Sequence, residues 1–256
     1  MKISCIQLAI ANHSKQRNVA HALDMIDRVP ESDLVLLPEL WPSGFFSFDK
    51  YLSESESLEG DLVTTFREKA VQRKCYLLMG SFVEKKDEKI FNTTVLIDPS
   101  GEIACTYRKI HLFGYQSQES QLLTPGKDVT VIKTPWGRMG FSTCYDLRFP
   151  ELYRRMLDQG AQIFLIPSAW PKIRLDAWVL FNQVRALENL AYLISCNCAG
   201  NNQGTALAGN SMMVSPLGKV LARAGEGEQI ISLDIDTKAV DQVRSEFPAV
   251  SDRVFK

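Results

Sequence analysis

Histidine is scarce in this sequence. Only His13, His21 and His111 occur among 256 residues, so any nucleophile that relies on an imidazole base has few to choose from. A dominant charge is also missing: 29 Lys and Arg face 30 Asp and Glu, for a formal net charge of -1. That balance favours neither nucleic acid nor an anionic membrane surface as a partner. No apolar run approaches the length of a membrane span. Low-complexity tracts and long linkers are lacking too. Met1 leads straight into a strand pattern, "KISCIQLAI", with no charged-then-apolar signal segment before it. The six cysteines (Cys5, Cys75, Cys105, Cys144, Cys196, Cys198) are scattered. Cys196 and Cys198 have one residue between them and no second pair or histidine cluster nearby, which is a poor pattern for zinc. The expectation is a cytoplasmic protein with reduced, buried thiols and no metal or cofactor.

What is present suits one globular domain over residues 1–256, since 45% hydrophobic and 23% charged residues allow a sizeable core. Short β-rich apolar runs alternate with helical patterns. Strands are predicted over 2–9, 33–37, 75–83, 91–97, 102–108, 129–134, 138–143, 162–166, 191–197, 210–215, 219–223 and 229–234. Helices are predicted over 14–29, 60–73, 149–159 and 173–190. The last of these places Ile173, Ala177, Leu180, Val184 and Leu187 on one apolar face. "LVLL" (34–37) and "IFLI" (163–166) are apolar at every position, which implies burial on both faces. Many strands for so few helices suggest two sheets packed together with helices outside. Residues 95–109 and 212–226 each read as a hairpin closed by a Pro-x-Gly turn. The longest loops are expected at 40–59, 109–128 and 197–209, where sites often form.

Chemistry concentrates around "GFSTCYDLRFPELYR", residues 140–154. Cys144 ends a strand and precedes a short turn into a helix. Such a junction holds a side chain up from the sheet edge and leaves the next N–H, that of Tyr145, to face an oxyanion. A thiol of pKa about 8.5 is mostly protonated at neutral pH, so a nucleophilic Cys144 needs a base. The bland reading is one more buried thiol. His13 and His21 fall at or within a helix, whereas His111 follows Lys109 in "YRKIHLF" and leaves a Cys–His pair open. Carboxylates offer a second route. Glu39 ends the doubly buried run "DLVLLPEL", Lys109 ends the strand "EIACTYRK", and Glu119 lies in the loop after it. Lys109 alone reads as a solvated strand end and Glu119 as a loop charge, whereas Glu39 is costly to bury without a partner; together they form a cluster at strand ends.

Three blocks, "LPELWPSGF", "YRKIHLF…QES…LTPGKD" and "GFSTCYDLRFPELYR", resemble the signature blocks of the nitrilase superfamily of carbon–nitrogen hydrolases. The likeness extends to "GAQIFLIPSAW", "RALENLAYLISCN" and "SEFPAVSDRVF". It is nearest to the amidase branch that contains the omega-amidases. The resemblance implies a four-layer αββα sandwich. It implies Cys144 as nucleophile, Glu39 as general base, Lys109 as transition-state stabiliser and Glu119 as a supporting carboxylate. The reaction implied is hydrolysis of a linear amide through a thioester, with oxyanion contacts from Lys109 and the Tyr145 N–H. The substrate suggested is a small dicarboxylic acid monoamide such as 2-oxoglutaramate or succinamate. Nitrile hydrolysis by the same residues, a Cys–His acyl transferase and a non-catalytic scaffold remain as alternatives. Family members commonly form dimers through the sandwich faces, which implies that the tail, about 246–256, packs on a partner subunit. Phe45, Tyr115, Tyr145 and Trp170 are candidate pocket walls. Arg148 is a candidate for a substrate carboxylate, against the plainer reading that it pairs with Asp146 or Glu151. Arg185 and Glu188, three apart on one helix, are expected to pair.

Overall fold

The computed structural model describes residues 1–255. The apolar runs pair into two six-stranded sheets and one small three-stranded sheet. The first large sheet runs Gln229–Asp234, Lys2–Gln7, Leu34–Leu36, Tyr76–Lys86, Lys89–Ile97, Ile103–Arg108. The second runs Val220–Arg223, Met212–Val214, Tyr192–Asn197, Ile163–Ser168, Gly137–Phe141, Val131–Thr134. Each keeps three parallel strands at its centre and antiparallel strands outside them.

The all-apolar run 34–37 shows why the layers stack as they do. Successive side chains point to opposite faces of a strand. Leu34 and Leu36 join Ile163, Leu165 and Ile194 of the second sheet in one buried cluster. Val35 and Leu37 join Ile26 and Phe66 from the helices Lys15–Arg28 and Asp61–Arg73. The helices Pro150–Asp158 and Leu175–Asn189 cover the second sheet through Tyr153, Met156, Trp178 and Ala186. Each fully buried aliphatic side chain contributes roughly 1.5–3 kcal/mol on leaving water, and the run buries four on two faces. The result is the expected αββα sandwich. Both expected hairpins are present, closed by Gly101 N–H to Asp98 O and Gly218 N–H to Ser215 O, each at 2.9 Å.

The helix at 173–190 corrects one expectation. It begins as a single 3-10 turn, Lys172–Arg174, and continues as Leu175–Asn189. Its apolar stripe points outward: Ile173 is 88% exposed, Leu180 60% and Leu187 50%. The inner face carries Trp178, Asn182, Arg185, Ala186 and Asn189. Polar groups are needed there because they satisfy buried carbonyls. Trp178 donates to Asn210 O at 2.7 Å, and Arg185 donates to Leu147 O at 3.0 Å and Arg148 O at 3.2 Å. Arg185 also pairs with Glu188 at 2.8 Å, as expected. Three helices went unread: Tyr51–Glu54, Glu119–Leu122 and Ala239–Glu246. The first two are single turns, too short to show a period. In the tail, Arg253 pairs with Asp158 of the same chain, while Phe247, Val254 and Phe255 stay exposed; Lys256 lies outside the described residues. No helix among the described residues is long and apolar enough to cross a membrane.

All six cysteines are free; Cys105 is half-buried and the rest are buried. Burial pushes the Cys75 thiol up to about 11 and Cys105 to about 12, and holds Cys196 and Cys198 well above their ordinary range. The folded chain therefore keeps thiol protons that the unfolded chain releases from about pH 8.5. With more protons on the native state, stability falls as pH rises. Urea unfolding in the presence of a reductant is expected to show a constant stability up to about pH 8. Between about pH 9 and 11 it should fall, each retained thiol proton costing about 1.4 kcal/mol per pH unit. A flat profile up to that limit would contradict the assignment.

Candidate active site

The site forms where the central strands of both sheets end. Glu39 follows the strand Leu34–Leu36, and the chain turns sharply at Leu40, whose φ is +43°. A bulge in the neighbouring strand between Leu78 and Ser81 makes room for this turn. Gly80 sits in that bulge with φ +70°, and a Cβ there would lie 2.0 Å from Pro38 O. Only glycine permits so close a backbone approach. Ser81 completes the turn: its N–H donates to Pro38 O at 3.2 Å and its Oγ accepts from Leu40 N at 3.0 Å.

Glu39, Lys109 and Glu119 meet in one buried cluster, each at most 1% exposed. Lys109 Nζ donates to Glu39 Oε1 at 2.8 Å and to Glu119 Oε1 and Oε2 at 3.0 Å each. The two Glu119 oxygens belong to one carboxylate and share one ammonium proton, so the three contacts engage two protons. Asn92 Nδ2 bridges both carboxylates, donating to Glu39 Oε1 at 2.8 Å and Glu119 Oε1 at 2.9 Å. Ala169 N–H donates to Glu39 Oε2 at 2.8 Å, and Phe113 N–H to Glu119 Oε2 at 2.7 Å. An isolated buried ion would be costed at several kcal/mol, and such a cluster persists only with its partners in place. Burial by itself would push Lys109 down; Glu119 and then Glu39 outweigh it and hold the ammonium above its ordinary range. Burial raises Glu119, Lys109 opposes it, and Glu39 adds to the rise.

Cys144 opens a 3-10 turn, Cys144–Arg148, with φ +48°. That left-handed conformation costs a non-glycine residue of order 1–3 kcal/mol and persists only where its surroundings impose it. Asp146 does much of the imposing. Its Oδ2 accepts from Thr143 N at 2.9 Å and Tyr107 OH at 2.6 Å, and its Oδ1 accepts from His111 N at 2.9 Å. His111 Nδ1 meets the same Oδ1 at 2.7 Å, and the ring stacks on Phe149 with centroids 3.7 Å apart. His111 is thus committed to Asp146 and stays off the pocket lining. Burial pushes the Cys144 thiol up; Glu39 adds to the rise and Lys109 opposes it. The thiol is therefore protonated at rest. Among the described residues the Tyr145 N–H meets no backbone or side-chain acceptor.

Cys144 lies in a pocket of about 340 Å³, counting its open mouth, walled by Phe45, Phe46, Phe113, Tyr145 and Trp170. Arg148 and Arg174 line it as well. Three of the four expected aromatic walls are in place. Tyr115 is not: it is 63% exposed and outside the lining, with its ring 5.6 Å from the Arg174 guanidinium. Arg148 pairs with neither Asp146, which its other partners occupy, nor Glu151; its guanidinium lies over Trp170 at 5.1 Å and Phe181 at 5.2 Å. Sequence reasoning missed Asn92, Phe46, Phe113 and Arg174. Asn92 left a signal: "NTT" (92–94) puts three polar residues in a row inside a strand, and all three are buried.

A half-open cysteine pocket backed by a sealed Glu–Lys–Glu cluster, at the strand ends of an αββα sandwich, defines a nitrilase-fold hydrolase. The chain belongs to the carbon–nitrogen hydrolase family, whose family model matches residues 2–245. It is 35% identical over 243 residues to the 2-oxoglutaramate amidase of Paenarthrobacter nicotinovorans, covering 92% of this chain and 83% of that protein. It is 32% identical over 272 residues to omega-amidase NIT3 of Saccharomyces cerevisiae, covering 100% and 94%. Among solved structures, Saccharomyces cerevisiae Nit3, a member of branch 10 of the nitrilase superfamily, superposes with a TM-score of 0.91 at 32% identity, over 100% of this chain and 97% of that one. An amidase variant from Nesterenkonia sp. AN1, with glutamine replacing a glutamate, superposes with a TM-score of 0.88 at 25% identity, over 99% and 94%. That structure carries the acetamide moiety of fluoroacetamide covalently added at its active-site cysteine.

The Asn92 bridge yields a direct test. Asn92→Ala is expected to lower kcat for amide hydrolysis by about 10- to 100-fold with little change in KM, because misplaced carboxylates lose their alignment. Steady-state ammonia release and a melting curve check this together. An unchanged kcat would show that the bridge is dispensable.

Proposed function

We propose that the chain hydrolyses the amide of a small dicarboxylic acid monoamide, the activity named for its 2-oxoglutaramate amidase and omega-amidase relatives. The carrying observation is the acceptor pattern of the cluster. Each carboxylate oxygen offers about two lone-pair sites. In Glu119, Oε1 takes Asn92 and Lys109, and Oε2 takes Phe113 N–H and Lys109, so all four sites are filled. In Glu39, Oε1 is filled by Asn92 and Lys109, but Oε2 accepts only the Ala169 N–H. Glu39 Oε2 thus has the one open site, which supports reading Glu39 as the base and Glu119 as its support.

In this reading Glu39 takes the Cys144 proton as the sulfur attacks the amide carbonyl carbon. The Tyr145 N–H faces the oxyanion, and Lys109 contributes its positive charge. Protonated Glu39 then gives its proton to the leaving nitrogen, and ammonia departs from the thioester. Glu39 next deprotonates a water, which releases the acid and restores the thiol. Arg148, on the turn that carries Cys144, is the residue we assign to the substrate carboxylate. Phe45, Tyr145 and Trp170 wall the chain between the two ends, with Tyr115 outside them. Glu39→Gln is expected to lower ammonia release from succinamate by about 10²–10⁴-fold while circular dichroism stays native. His111→Ala should retain measurable turnover; inactivation of His111→Ala alongside a near-normal Glu39→Gln would return the base to histidine.

We further infer that a second copy of the chain covers the outward stripe Ile173, Leu180 and Leu187. Surface apolar residues gathered in one stripe mark contact sites, and the exposed Val254 and Phe255 supply further apolar surface in the tail. Sedimentation should give a dimer or higher oligomer for the native chain and a monomer for Leu180→Glu with Leu187→Glu. A native chain that sediments as a monomer would overturn this.

A further inference from the structure

Two guanidinium groups line the Cys144 pocket, and no acidic side chain lines it with them. Among the described residues, neither the Arg148 nor the Arg174 side chain donates a hydrogen bond or forms a salt bridge. What holds them is aromatic. Arg148 lies over Trp170 and Phe181, and Arg174 over Phe113 at 5.5 Å and Tyr115 at 5.6 Å. The backbone locks Arg174 further, since its carbonyl accepts from Trp170 Nε1 at 2.8 Å and its N–H donates to Pro171 O at 3.0 Å. Trp170 therefore carries Arg148 on its ring and fixes the turn that bears Arg174. Both groups are half-buried. Like charges confined to one apolar pocket repel, and each guanidinium keeps five N–H donors without a protein acceptor. The arrangement lacks an anion that presents two oxygens to a fork-shaped donor, which is the shape of a carboxylate.

We propose that Arg174 is a specificity-determining residue: with Arg148 it forms a two-guanidinium clamp for the terminal carboxylate of the substrate, which selects anionic amides over neutral ones. The inference rests on the amide-hydrolase reading and adds to it a residue from outside the three signature blocks. The pocket then has a direction. The amide end meets Cys144 and the buried cluster, and the carboxylate end meets the arginines. Arg174 also couples the two ends. Phe113 stacks under its guanidinium and gives its N–H to Glu119 Oε2 at 2.7 Å.

The test compares succinamate with butyramide, which replaces the carboxylate by a methyl group at the same chain length. Arg174→Gln is expected to lower the ratio of kcat/KM for succinamate over butyramide by about 10- to 100-fold, the loss of a charge-assisted contact. The change should appear mainly as a raised KM for succinamate. Arg174→Lys should recover part of the ratio, since it keeps the charge and loses the fork. Calorimetric binding of succinamate to Cys144→Ala, with and without Arg174→Gln, separates the two readings. If the native enzyme turns over neither amide but Arg174→Gln still weakens succinamate binding, the amidase reading fails and the clamp stands. If the ratio is unchanged, or both substrates fall equally, Arg174 is a packing residue and the clamp is refuted.

Discussion

The rest of the site depends on one ammonium held between two carboxylates with no water-facing surface. Lys109 is anchored by its own backbone, with N–H to Asn92 O at 2.9 Å and its carbonyl accepting from Gly126 N at 2.8 Å. Each carboxylate would be costly to bury alone, and the ammonium would be too. Three buried charges with a formal sum of -1 are tolerable because Lys109 bonds both carboxylates and both protons of the Asn92 amide are used on them. The strain at Leu40, the bulge at Gly80 and the short helix at Glu119 are all local geometry that this triad of charges requires. None of them would form for its own stability.

A second constraint sits behind the nucleophile. The turn at Cys144 is held from one side by Asp146, which gathers Thr143, Tyr107 and His111, and from the other by Arg185, which fastens Leu147 O and Arg148 O. This explains the inverted helix Leu175–Asn189. Its inner face has to supply donors to the turn, so Ile173, Leu180 and Leu187 face out. A helix that looks wrongly oriented by hydrophobicity is oriented by hydrogen bonding.

Much of the fold was legible because burial on two faces leaves an unambiguous mark: "LVLL" and "IFLI" admit no polar face. Glu39, Lys109 and Cys144 were legible because each stands immediately after an apolar strand, where a charged or reactive residue is conspicuous. Glu119 needed the family resemblance, since a four-residue helix has no period to read. Arg174 was invisible because its helix was read through the stripe Ile173–Leu187, and the basic turn at its start, Lys172–Arg174, looks like solvated surface. Asn92 was hidden by being a polar residue in a strand counted as apolar. The plainer reading of Arg148, a pair with Asp146 or Glu151, rested on sequence adjacency, whereas Asp146 is taken by Thr143, Tyr107 and His111 and the guanidinium lies over Trp170 and Phe181.

The two sheets contribute different halves of the chemistry. Glu39, Lys109 and Asn92 belong to strands of the first sheet or their ends, while Cys144 and the Ala169 N–H belong to the second. The proposed base and nucleophile are therefore joined across the packed seam of Leu34, Leu36, Ile163 and Leu165 and by hydrogen bonds that cross it, among them those from Ala169 to Glu39 and from Tyr107 and His111 to Asp146. Each sheet could keep its own strand pairing while the seam loosens, and catalysis would already be lost. The enzyme's turnover is in effect a gauge of how tightly the two sheets are docked.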